Sequence, residues 1–155
     1  MAALVDYTAL AEATGFKDTF PISTGTPFGG VQKDYWRKVR LDFSKTNLTD
    51  ADWAKIMTIP AHTFVTEVMT YIVTIQATAT TIYIGDANAD HTATWEANAT
   101  AAVADVVTIT LVADTNGATR GKYYHAAGAL YLSATVDLTT VVIDVYVHCM
   151  NLDPA

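Results

Sequence analysis

Thr140–Met150 reads TVVIDVYVHCM. In an extended chain Val141, Ile143, Val145 and Val147 share one face, while Val142, Asp144, Tyr146 and His148 share the other. Successive side chains of a strand point to opposite sides, so this spacing predicts a strand with one wholly apolar face laid on a core. Most of these residues are β-branched, and such side chains pack well on a pleated surface. Working back along the chain, the same signal recurs in Ala129–Val136 (ALYLSATV), Asp105–Ala113 (DVVTITLVA), Thr80–Gly85 (TTIYIG) and Thr63–Gln76 (TFVTEVMTYIVTIQ). The last of these is long enough for one strand or a bent pair. In Tyr35–Phe43 (YWRKVRLDF), Arg37, Val39, Leu41 and Phe43 alternate with Trp36, Lys38, Arg40 and Asp42, which predicts a strand with one buried face.

Turn chemistry separates these runs. Thr115-Asn116-Gly117 carries the Asn-Gly pair that accepts the positive φ of a tight hairpin. Met57–His62 (MTIPAH) predicts a bend, because Pro60 cannot donate to a central ladder. Asn47–Ile56 (NLTDADWAKI) predicts one short helix, with Thr49 as cap and Asp50 and Asp52 in the first turn. Seven or eight short strands at this spacing give a mainly β fold, a jelly-roll-like β-sandwich over residues 35–155. Residues 1–34 differ. Ser23–Gly30 (STGTPFGG) is turn chemistry throughout, and 4–14 could form a short helix. This segment is expected to be an extended arm that lies on its own domain or on a neighbour.

Composition agrees. The 155 residues include 25 Thr and 25 Ala, and 13 Asp against 3 Glu, a bias toward strands and turns over helix. Apolar residues make up 51% and charged residues 16%, which excludes disorder and suggests that part of the surface is covered by something else. Cys149 is the only cysteine, so no intrachain disulfide can form; near the end of an apolar strand it is expected to be a small buried hydrophobe. The opening MAALVDYTAL lacks a basic, then apolar, secretory pattern, and no run of about 18 apolar residues is present. The chain is therefore expected to work in a cytoplasm or in a particle assembled there, without a membrane.

Charge is unevenly placed. Residues 1–55 carry seven bases and seven acids, and residues 56–155 carry only Arg120 and Lys122 against nine acids, giving the net charge of -7. The acidic half argues against nucleic-acid binding, which needs a basic footprint. Lys33, Arg37, Lys38 and Arg40 form the one candidate basic patch. It reads either as the solvated face of a strand or as a docking surface for an acidic partner.

Catalytic and metal chemistry finds little support. Asp86-Ala-Asn88-Ala-Asp90 has calcium-loop spacing, but His91 stands where a glycine and Ala97 where a bidentate Glu is needed. His62, His91, His125 and His148 are scattered, with no zinc-ligand spacing. Ser23, Ser44 and Ser133 lie in no nucleophile elbow, and Glu67 alternates to the polar face of its strand. Gly117 and Gly121 belong to turns, not to a phosphate loop. No constellation pairs a nucleophile with a base, so neither a catalytic residue, a metal nor a cofactor is expected.

The run Trp53–Asp86 (WAKIMTIPAHTFVTEVMTYIVTIQATATTIYIGD) resembles the opening of small jelly-roll proteins of tailed-phage virions. In those proteins an I-P-A-x-T-x-V bend, here Ile59 to Val65, leads into a long strand and then a short one ending in Gly-Asp. Gly128–Thr135 (GALYLSAT) and the Val-rich strand after it are similar too, so the likeness covers about 36–150. The resemblance implies a virion accessory protein of the capsid decoration (cement) or head-fibre type, non-enzymatic and a homotrimer. Its partner would be the major capsid protein or another virion protein, met on the capsid surface. Two other readings stay open: a tail or fibre component, and a carbohydrate-binding module using the loops around Asp86–Trp95 and Tyr123–His125, where exposed tyrosine could stack on sugar.

Overall fold

The computed structural model describes the backbone of residues 4–6, 33–87, 96–100, 107–111 and 121–152, and the side chains of 35–87 and 121–152. Among the described residues ten strands follow in order: β1 (Leu4–Asp6), β2 (Lys33–Asp42), β3 (Trp53–Ile59), β4 (Thr63–Thr74), β5 (Thr81–Gly85), β6 (Glu96–Thr100), β7 (Val107–Leu111), β8 (Lys122–Tyr124), β9 (Gly128–Ala134) and β10 (Val142–Asn151). One sheet has the order β1-β3-β9-β5-β6; the other has β2-β10-β4-β7, with β8 also on β4. Every pairing is antiparallel except β1 on β3. The expected mainly β, jelly-roll-like sandwich is the fold found.

The strand that fixed the reading, β10, is central. On one side it pairs β2 through ten consecutive positions, Val142↔Asp42 to Asn151↔Lys33. On the other it pairs β4, where register shifts leave Thr66 and Val73 as extra residues. Ile143, Val145, Val147 and Cys149 are fully buried, as their shared face requires. They meet Val39, Leu41 and Phe43 of the β2 side, Val65, Val68 and Ile72 of β4, and Ile82, Ile84, Leu130 and Leu132 from the opposite sheet, all within one core. Burying a side chain of this kind is worth about 1.5–3 kcal/mol, so this cluster supplies most of the drive to fold.

The expected helix at Asn47–Ile56 is not there. Leu48 is fully buried and bridges Leu138, exchanging both backbone hydrogen bonds (3.1 and 2.7 Å). The Thr49 carbonyl accepts from the Asp52 amide (3.1 Å) and the Thr49 hydroxyl donates to the Asp52 carboxylate (2.7 Å), which closes a turn. Trp53 then opens β3, where Ala54, Ile56 and Ile59 turn inward. The residues that cap a helix also build such turns, and tertiary burial of Leu48 and Ile56 decided between them. The bend expected at Met57–His62 is confined to its end, because β3 runs through Ile59; His62 takes the left-handed φ of 57° there, a conformation in which His is one of the tolerated non-glycine residues.

Thr63–Gln76 holds one strand, β4, and not a bent pair. β6 was not foreseen, since the only apolar residues in EANAT are two alanines, which are depleted in strands. Of the segment read as an arm, Leu4–Asp6 is strand where a short helix over 4–14 was suggested, because the open edge of β3 offers it backbone partners; Lys33 and Asp34 already belong to β2. The remainder of that segment and the Asn-Gly turn at 116–117 lie outside the described residues.

Candidate docking surface

The outer face of the β2 sheet is built by rows that cross three strands. Register places Trp36, His148 and Glu67 in one row, Lys38, Tyr146 and Met69 in the next, and Arg40, Asp144 and Tyr71 in the third. Asp144 sits at the centre and is only 1% exposed. Arg40 grips it with two parallel bonds, Nε to Oδ1 at 2.6 Å and a terminal nitrogen to Oδ2 at 2.7 Å, and Lys38 Nζ reaches Oδ2 at 2.9 Å. Such a fork is the strong form of a charge-assisted bond. Burial alone would raise the pKa of Asp144, but the bonds and charges of Arg40 and Lys38 outweigh it and hold the carboxyl below its ordinary value. For Lys38, burial pulls downward, and bonds to Asp144 and Tyr146 more than offset this, so its ammonium is held above the ordinary lysine value. Its Nζ also lies 5.2 Å from the Tyr146 ring centre.

The first row is aromatic. Trp36 stacks on His148 with centroids 4.7 Å apart and planes 24° from parallel. The bulge that makes Thr66 an extra residue brings its hydroxyl to 2.5 Å from His148 Nδ1. Below the last row, Asp42 accepts from the Ser44 hydroxyl (2.6 Å) and amide (3.1 Å) and pairs with Lys45; the Ser44 bond leads in holding its carboxyl below the usual value.

The four residues expected to form one basic patch are thus divided. Lys38 and Arg40 lie together on the outer face, with Asp144 between them. Arg37 belongs to the other face of β2 and reaches across the sandwich edge to the backbone carbonyl of Thr58 in β3. Lys33 opens β2 opposite Asn151. Sequence reasoning assigned Asp144 to this face without foreseeing its partners, since they are 104 and 106 residues away; the apposition of Asp144 with Arg40 needs the β2–β10 register.

A second group lies at the β3–β4 turn. His62 Nδ1 is 3.0 Å from the Tyr123 hydroxyl, and His125 meets His62 edge-on at 5.4 Å. Tyr123 is 43% exposed. Asp86, the first residue of the calcium-like spacing, is held by Lys122 and by the Tyr124 hydroxyl at 3.1 Å; Asn88, Asp90 and the rest of the loop to Trp95 lie outside the described residues. Among the described residues no group of three or more His, Cys, Asp or Glu side chains is placed to hold a metal ion, and no helix is long and apolar enough to cross a membrane.

No family model matches the sequence, and no curated protein does. Solved structures match the fold. A chain in the capsid of Ralstonia phage GP4 superposes with a TM-score of 0.55 at 11% identity, covering 99% of this chain and 100% of that one. A chain in the acidic stable capsid structure of Helicobacter pylori bacteriophage KHP30 gives 0.55 at 12% identity, over 79% and 90% of the two chains. One in the cyanophage Pam1 capsid asymmetric unit gives 0.50 at 19%, over 86% and 94%. At these identities the comparison establishes a shared fold, one that recurs in the capsids of three phages.

Proposed function

We propose that this chain is a non-enzymatic phage virion protein, a trimeric capsid decoration protein that binds the assembled head from outside and stabilises it. The observation that carries the reading is the end-to-end match with a chain of the GP4 capsid, repeated at high coverage in two further phage capsids. The charge-poor composition supports it, since the centres of stable interfaces are depleted of charge. The register at the edge of the β2 sheet agrees, since it sets the uncharged Val107, Ile109 and Leu111 beside Tyr71, Met69 and Glu67. The partner is the major capsid protein or another virion protein, assembly takes place in the host cytoplasm, and β2 meets an acidic shell through Lys33 at its start and the outer-face pair Lys38 and Arg40, while Arg37 is held on the opposite face by the Thr58 carbonyl.

The test is titration of purified protein onto heads that lack it. Binding should saturate at a multiple set by the capsid lattice, and Lys33→Glu should weaken binding at unchanged melting temperature. Saturation at a few copies per particle would favour a tail or fibre component; no binding at all would overturn the reading. A carbohydrate-binding module is favoured by one observation, the exposed Tyr123 beside His62 and His125. A glycan array that shows no signal dependent on Tyr123 removes it.

A further inference from the structure

The open edge of β3 has a partner from far along the chain, the short strand β1. Leu4, Val5 and Asp6 pair in parallel with Trp53, Ala54 and Lys55. The register is chemically matched: an apolar residue stands opposite Trp53, another opposite the fully buried Ala54, and an acid opposite a base. Yet residues 7–32, a stretch of 26, separate β1 from β2. Connections inside a compact domain mostly run about 4–6 residues, and those beyond about 12–15 usually have a function of their own. Twenty-six residues can reach at most about 90 Å when extended, well beyond the width of a domain of this size. Parallel strands cannot be joined by a tight hairpin, so no local turn commits β1 to the β3 of its own chain.

We propose that β1 is an exchanged strand: in the oligomer, Leu4–Asp6 of one copy pairs with Trp53–Lys55 of a neighbouring copy. The proposal rests on the oligomeric part of the functional reading above. The backbone bonds and register contacts are the same in either arrangement, so exchange sacrifices no pairing, and 26 residues are enough to permit it. Exchange adds a tether between copies at every subunit, and tethered contacts reinforce one another through effective concentration. An unpaired β3 edge would be open to any extended segment; exchange fills it with the one segment whose register fits.

Cysteines at the register pair Asp6↔Lys55 test this directly. The double variant Asp6→Cys/Lys55→Cys, with buried Cys149 left in place, is oxidised at low concentration and run under denaturing, non-reducing conditions, beside each single variant and the parent protein. Exchange predicts that most of the disulfide joins separate chains, in multiples of 16.7 kDa up to about 50 kDa for three, absent from the single variants and lost on reduction. A disulfide confined within one 16.7 kDa chain, or no disulfide at all, overturns the proposal. Light scattering on the unoxidised protein separates the two claims. A trimer whose disulfide is internal sinks exchange and leaves the oligomer standing, whereas a monomer sinks both.

Discussion

Asp144 shows what a single residue contributes. A carboxylate that is 1% exposed survives in a sheet only because Arg40 and Lys38 satisfy it. Removing Arg40 leaves the buried carboxylate with Lys38 alone and takes away its two strongest bonds, so Arg40→Ala should cost about 1–3 kcal/mol in urea unfolding, more than loss of the exposed Lys45. The pH dependence follows in sign. The folded carboxyl titrates below its ordinary value of 3.8, so its contribution is full above that value and is lost as pH falls through the lower, folded one. Stability should therefore drop below about pH 4, and Asp144→Asn should be less stable at neutral pH with a flatter acid limb. The alternation of β2 and β10 was legible in the sequence down to the face each residue takes, including Asp144 opposite the buried valines. The use of Lys38 and Arg40 was not, because charge on an isolated strand looks the same whether it meets solvent, a partner or a distant carboxylate.

At the scale of elements, period two proved the durable signal. It located β2, β4, β5, β9 and β10 to within a few residues, and it was present in WAKIMTI as well, where Thr49, Asp50 and Asp52 pointed to a helix cap instead. Local polar chemistry was ambiguous there, and burial resolved it. A connection the sequence did not disclose centres on Gln76, 5% exposed. Its Oε1 accepts from the Thr139, Thr140 and Val141 amides (3.1–3.3 Å) and from the Thr140 hydroxyl, while Nε2 donates to the Asp137 carbonyl and to the Thr139 hydroxyl. One side chain thus anchors the entry to β10 against the exit of β4. Gln76→Ala should cost about 1–3 kcal/mol and speed hydrogen exchange at 139–141, because those amides lose their shared acceptor. Gly121, ahead of β8, has φ 83°, and an added Cβ would come within 2.4 Å of the Val65 carbonyl oxygen. Gly121→Ala should lower stability by about 1–3 kcal/mol, and the melting temperature with it, through both strain and clash.

For the whole molecule, the two-sheet sandwich was readable from strand count and turn spacing, but the order of strands in each sheet was not, since it depends on which distant edges meet. The proposed role carries its own expectation at this scale. A protein that binds assembled heads and not loose subunits raises their stability by mass action, so the rupture temperature of heads should climb with added protein and level off at saturation. A rupture temperature indifferent to concentration would show that binding does not stabilise. The strand order has a further consequence, for biosynthesis. β2 and β4 both take their long pairing from β10, so a ribosome must add about a hundred residues after β2 before that strand meets its partner, roughly 5–20 s at ordinary elongation rates. Through that interval the nascent chain carries apolar strands with few charges between Ile56 and Thr119 to keep them apart. Copies cut short before residue 142 lack the middle of a sheet, so truncation leaves β2 and β4 without their shared partner and exposes the chain to proteolysis.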